Sequence, residues 1–214
     1  MFDYSEFFQE VDELLFKKYD GSPLLFCLIG RTALDLAGLS QRGTKDLDVL
    51  AEKLEVSVSS HEKFIEIEKM LKKEFGRGSA SATKHGFYID LVEKGVPWLP
   101  PNPQFIKYKK YRKLEVDRLS PVDVCVSKTF SNFKRAAGRA NDKSDIVDAI
   151  EERLFDAEAY VRRVDESFSL YEAHAEAPEV FPRVIRFIEE EIIPKYCLDQ
   201  IRLAYVIPSW MENV

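Results

Sequence analysis

The chain has 214 residues, of which 45% are hydrophobic and 32% charged, with a net charge of −6; this length suits one domain or two small ones and is enough to bury a real core. The acid excess excludes a surface that wraps nucleic acid non-specifically, leaving room only for a local basic patch. No apolar run approaches a membrane span, the start Met1-Phe2-Asp3-Tyr4-Ser5-Glu6 lacks a signal-peptide pattern, and Cys27, Cys125 and Cys197 show no paired spacing, so the expectation is a cytoplasmic protein, off the membrane, with buried free thiols.

Phe8, Val11, Leu15 and Lys18 recur at helical spacing and predict an amphipathic helix from Asp3 to about Tyr19. Asp20-Gly21-Ser22-Pro23 is a turn. The apolar run ending Cys27-Leu28-Ile29 reads as a buried strand, broken at Gly30. Thr32 to Ala37 reads as a short helix stopping at Gly38. Arg42-Gly43-Thr44-Lys45 then leads into Asp46-Leu47-Asp48-Val49-Leu50, where acid and apolar residues alternate with strand periodicity. Asp46 and Asp48 therefore share one face, with Leu47 and Val49 on the other. Residues 51–58 continue as strand or open a loop. Phe64, Ile67, Leu71 and Phe75 form a helical stripe behind Ser59 or Ser60 as N-cap.

Gly76-Arg77-Gly78 ends that helix. Ser79 to Lys84 reads as a weak strand, with His85-Gly86 as a hairpin turn into Phe87-Tyr88-Ile89-Asp90-Leu91-Val92. Asp90 is an acid in an otherwise apolar strand, either a solvated edge residue or a functional one. A proline-rich loop runs to Pro103. Lys107-Tyr108-Lys109-Lys110-Tyr111-Arg112-Lys113 carries five cations and two tyrosines. Such interleaving suits RNA, but a lysine-rich edge strand that resists aggregation looks the same and is the favoured reading in a chain that is otherwise acidic. Leu114 to Leu119 is the last strand. Ser120-Pro121 opens a helix with Val122, Val126, Thr129 and Phe133 as its stripe and Lys128 off it, closing at Gly138. Asn141-Asp142 caps a further helix, with Asp145 in its first turn. From Phe155 onward the pattern is helical, and residues 201–206 form a short helix or strand.

Paired carboxylates on a strand repel each other unless a cation lies between them. A hard divalent ion does this, and Mg²⁺ is usually held by one or two carboxylates with substrate phosphates. The glycine turn before a helix offers close backbone approach and N–H groups to an anion. Together these suggest metal-assisted chemistry on a nucleoside triphosphate.

Gly30-Arg31-Thr32-Ala33-Leu34, then Arg42 and Thr44-Lys45-Asp46-Leu47-Asp48, resemble the signature of the DNA polymerase β-like nucleotidyltransferase superfamily. The stand-alone prokaryotic members are the nearer match, including the abortive-infection type IV toxins of toxin–antitoxin pairs. Arg31 stands where that family usually has a second small residue. Lys128, Arg139, Asp142 and Asp145 match, by order, the segment that follows the family's core. The resemblance, which covers roughly positions 24 to 150, implies an α/β (α+β) fold with a small mixed sheet flanked by helices as nucleotidyltransferase core over residues 1–118; the remainder, 119–214, reads from its helical pattern as a C-terminal helical lobe. It implies transfer of a nucleotidyl group from an NTP such as ATP to a hydroxyl on a protein, a tRNA end or a small molecule, with an antitoxin as a further partner. Asp46, Asp48 and Asp90 would hold two Mg²⁺ ions, Asp90 also helping to deprotonate the acceptor. Gly30, Thr32, Lys45 and Lys128 would hold the triphosphate. Arg31 would either fold over a phosphate or lie across the pocket against the acids. The second case marks a catalytically lapsed scaffold that binds a nucleotide or a protein.

Overall fold

The computed structural model describes residues 4–39, 43–93, 98–134, 140–206 and 208. It is a mixed α/β structure whose five strands form one mixed sheet. The chain divides into two units, one of Met1–Val96 with Gln104–Ser120, the other of Pro97–Pro103 with Pro121–Val214.

In the first unit, helix α1 (Tyr4–Lys18) leads into strand β1 (Leu24–Leu28), helix α2 (Gly30–Asp35) and strand β2 (Asp46–Leu50). Helices α3 (Ala51–Val56), α4 (His61–Phe75) and α5 (Ala80–His85) precede strands β3 (Tyr88–Val92), β4 (Phe105–Lys110) and β5 (Leu114–Leu119). The strand order is β3-β2-β1-β5-β4. β1 runs antiparallel to β2 and parallel to β5, β2 is parallel to β3, and β4 is antiparallel to β5. One sheet face is the core. Phe7, Phe8, Val11 and Leu15 of α1 and Phe64, Ile67, Leu71 and Phe75 of α4 pack with Leu24, Phe26, Leu28, Leu47, Val49, Ile89, Leu91, Leu114 and Val116. The alternation in β2 and β3 that buries Leu47, Val49, Ile89 and Leu91 places Asp46, Asp48, Tyr88 and Asp90 on the opposite face.

Two local expectations are corrected. Residues 79–84 are not a strand, because Ser79 caps a helix by accepting the Ala82 N–H at 3.0 Å and Gly86 closes it at φ 80°. β3 therefore pairs in parallel with β2 instead of forming a hairpin. Residues 51–56 are also helical.

The second unit is helical. It holds α6 (Pro121–Phe133), α7 (Ala140–Glu151), α8 (Ala157–Tyr171) and α9 (Ala177–Arg186), which runs on through a π-helical turn (Phe187–Ile192) to α10 (Ile193–Lys195). Asn141 and Asp142 lie inside the first turn of α7 and do not precede it. Trp98 stacks on Phe130 at 5.7 Å and meets Tyr171 edge-on at 4.9 Å, tying the 98–103 loop to the helices. Arg163 holds the same loop, donating to the Pro101 carbonyl at 2.6 Å and to the buried Asp123 at 2.8 Å. Residues 201–206 are irregular, neither helix nor strand, and Asp165 accepts the N–H groups of Ala204 and Tyr205 there.

Cys27 and Cys125 are buried as expected, whereas Cys197 is exposed. Burial pushes the Cys27 thiol up to about 12, with Asp117 adding to the shift, so it stays an unreactive thiol at neutral pH. Among the described residues no helix is long and apolar enough to cross a membrane.

Candidate functional site

The acids lie where β2 and β3 run side by side. Asp48 is the register partner of Asp90, and Asp46 that of Tyr88. Partners on neighbouring strands have backbones about 4.8 Å apart, so Asp48 and Asp90 can share one ligand on this face. Asp90 is exposed, while Asp46 and Asp48 are half-buried.

Gly30 completes the arrangement. Its φ of 63° is left-handed, a conformation costly to residues with a Cβ. A Cβ on Gly30 would also overlap Oδ2 of Asp48. The Ile29 N–H donates to the Asp48 carbonyl at 2.9 Å, so the strand-to-helix turn is laced to β2 directly beside the carboxylate. The glycine is thus required twice, by its backbone and by its neighbour.

The expected convergence of Asp46, Asp48 and Asp90 on a shared ion does not form. Among the described residues no group of three or more His, Cys, Asp or Glu could hold a metal ion. Asp46 accepts a short hydrogen bond from the Thr44 hydroxyl of the loop that precedes β2. A pair, Asp48 and Asp90, remains in register.

Thr32 and Arg31 are built into the fold. Thr32 is fully buried and its Oγ1 donates to the Asp46 carbonyl at 3.0 Å, which pins α2 to β2 and uses the hydroxyl expected to meet a phosphate. Thr32→Val should cost about 1–2 kcal/mol by leaving that carbonyl short of a donor, read as a lower melting temperature; an unchanged one would show that the bond adds nothing. Arg31 takes a third position, besides the two weighed from the sequence. It folds along its own helix, with Nε donating to Asp35 at 2.6 Å and Nη2 to the Leu39 carbonyl at 3.3 Å. Asp35 also accepts from the Tyr4 hydroxyl at 2.9 Å, so Asp35 ties α2 to α1 and Arg31 neutralises it there. Lys45 is exposed, and its carbonyl accepts the Tyr88 N–H. Arg42 and Arg139 lie outside the described residues.

Lys128 belongs to the helical unit, and its ammonium is closed into ion pairs with Asp142 at 2.7 Å and Asp145 at 2.9 Å. Burial pulls this ammonium down, but Asp145 and Asp142 more than offset that and raise it overall. The spacing that matched a family segment therefore assembles a buried triad, and Lys128 is not the open cation expected for a triphosphate.

The basic stretch also resolves. β4 is an edge strand of the sheet, as β3 is at the other side. Lys109 donates to Ser5 and lies over Tyr111, Lys110 pairs with Glu115, the Arg112 guanidinium covers Phe16 and Lys113 donates to Gly21. Four of the five cations of 107–113 thus have partners within the fold, in line with the lysine-rich edge strand weighed from the sequence against an RNA-binding strip.

Sequence reading missed Trp98, Asp123 and Arg163. A tryptophan inside a proline-rich loop was the available signal for the first. Nothing local marks the ion pair, whose members are 40 residues apart. Comparison with known proteins finds no matching family model, no matching curated protein and no matching solved structure.

Proposed function

We propose that the chain is a metal-dependent nucleotidyltransferase, similar to the stand-alone prokaryotic members of the polymerase β-like superfamily, which moves a nucleotidyl group from an NTP to a hydroxyl acceptor. The observation that carries this reading is the seating of Asp48 against Gly30 with Asp90 as its register partner. A glycine kept at a strained turn so that a carboxylate can occupy its side-chain space is poorly explained by packing alone. In number and kind, two carboxylates on one strand pair fit Mg²⁺, which takes one or two carboxylates and completes its shell with water and substrate phosphates. When bound, the ion would neutralise the triphosphate as pyrophosphate leaves.

The chain's own groups divide the remaining work. Asp48, backed by the Gly30 turn, has a fixed place and would hold the ion. Asp90 is exposed and would accept the proton of an incoming hydroxyl while sharing the ion. Asp46, steadied by Thr44, adds negative charge at the end of the row. Lys45, exposed beside it, would supply positive charge to the triphosphate. A toxin acting on a tRNA end or a protein hydroxyl, restrained by an antitoxin, is the biological setting that the sequence resemblance suggests.

A second reading is a scaffold that binds a nucleotide or a protein without turnover. It is favoured by Thr32 and Arg31, whose side chains are committed to packing. Purified protein with Mg²⁺ and each of the four NTPs separates the two. The enzyme releases pyrophosphate, and Asp48→Asn or Asp90→Asn lowers that release by roughly a hundredfold or more while the cooperative melting transition of a folded protein is kept. No release from any NTP, from parent or variants, would leave the scaffold reading.

A further inference from the structure

The acidic face of β2 and β3 carries one residue that has no part so far. Tyr88 is the register partner of Asp46, and its N–H donates to the Lys45 carbonyl at 3.0 Å. Its neighbours Phe87 and Ile89 are buried on the core side, so the Tyr88 ring, half-buried, stands on the face of Asp46, Asp48 and Asp90. Among the described residues this ring stacks on no other ring, lies under no cation, and its hydroxyl makes no hydrogen bond. The other eight of the nine tyrosines each meet a ring or a cation: Tyr4, Tyr108, Tyr160, Tyr171 and Tyr205 a ring, Tyr19, Tyr111 and Tyr196 a lysine. A large apolar surface at the end of a row of carboxylates, contributing nothing to the core, calls for a ligand that is charged at one end and flat at the other.

Resting on the nucleotidyltransferase reading, we propose that Tyr88 is the platform on which the nucleobase of the bound nucleoside triphosphate stacks. Same-face positions along a strand are about 6.6 Å apart and adjacent strands about 4.8 Å apart. The Tyr88 ring therefore stands a ribose's length from the Asp48/Asp90 pair, with Asp46 beside it on the neighbouring strand. A nucleotide whose phosphates face that pair brings its base to the Tyr88 end of the row. Stacking is tolerant of base identity, since every base has a π-face, and the larger purine gains more from it. The site would therefore take several NTPs and favour purines, with no side-chain code for one base.

The test uses the full chain, Mg²⁺ and 2-aminopurine riboside triphosphate, whose emission is quenched when its base stacks. The parent and Tyr88→Phe should bind and quench alike. Tyr88→Ala should bind roughly five- to a hundredfold more weakly and lose the quench. ATP should compete better than CTP against the parent, and inorganic tripolyphosphate should compete equally against parent and Tyr88→Ala. That last arm, with Tyr88→Leu as a variant of similar bulk, separates a lost platform from a lost fold. Unchanged affinity and quench in Tyr88→Ala, with binding abolished in Asp48→Asn, would overturn the platform and keep the site. Absence of binding by the parent would overturn both.

Discussion

Lys128→Ala should destabilise the protein by about 3–5 kcal/mol, the usual cost of leaving buried charges without their partner. For a domain of this size that is a fall in melting temperature of about 6–20 °C. The Lys128, Asp142 and Asp145 side chains are only 14%, 11% and 5% exposed, so water replaces little of the lost ammonium. Two carboxylates one helical turn apart on α7 would then face each other across the gap. Replacing all three together, with Lys128→Met, Asp142→Asn and Asp145→Asn, should recover much of the loss, because it is the uncompensated charge that is costly. The pH dependence has a definite sign. The folded ammonium titrates above its ordinary 10.5, so its contribution is complete below pH 10.5 and is lost as pH rises through the folded value. Alkaline unfolding should therefore be less steep in the triple variant than in the parent. If Lys128→Ala melts with the parent, the triad's charges are held by solvent and the ion pairs contribute nothing.

Gly30→Ala should remove function with a smaller effect on the fold. The left-handed backbone at φ 63° costs an alanine about 1–2 kcal/mol. The added Cβ also takes the space of Asp48 Oδ2, the free end of a side chain, which yields by rotating away. The carboxylate is then displaced from its place beside Asp90, and Mg²⁺-dependent pyrophosphate release should fall about as far as in Asp48→Asn. The two variants reach the same loss by different routes: Gly30→Ala carries the cost of a left-handed backbone, which Asp48→Asn does not. Gly30→Ala with full turnover would show that Asp48 does not need its place at the turn, and would remove the observation on which the proposed function rests.

Local order was legible wherever one short-range pattern decided it. The stripe Phe64, Ile67, Leu71 and Phe75 specified α4, the alternation Asp46 to Leu50 specified β2, and Leu114 to Leu119 is β5 to the residue. The sequence also placed Asp46 and Asp48 on one face, because a strand's period of two leaves no alternative. It misjudged residues 79–86, where a serine cap and a left-handed glycine make a one-and-a-half-turn helix too short for periodicity to register.

Partners distant in sequence were decided only by the fold. That Asp90 lies beside Asp48 depends on the parallel pairing of β2 with β3, a register that no residue in either strand announces. The fates of two cations were likewise set by the fold: Lys128 is drawn to Asp142 and Asp145 of the next helix, and Arg112 to Phe16, each a choice among many acids and rings that three-dimensional proximity makes, whereas Arg31 and Asp35 are a local pair one helical turn apart. Tyr88 shows the converse. From sequence it is one more apolar residue in an apolar strand, and only the fold shows that its ring, unlike those of the other tyrosines, meets neither a ring nor a cation among the described residues. Periodicity fixes the side of a strand on which a residue stands, because backbone geometry is local. What stands opposite is set by chain topology, and opposing charges and rings take their meaning from that.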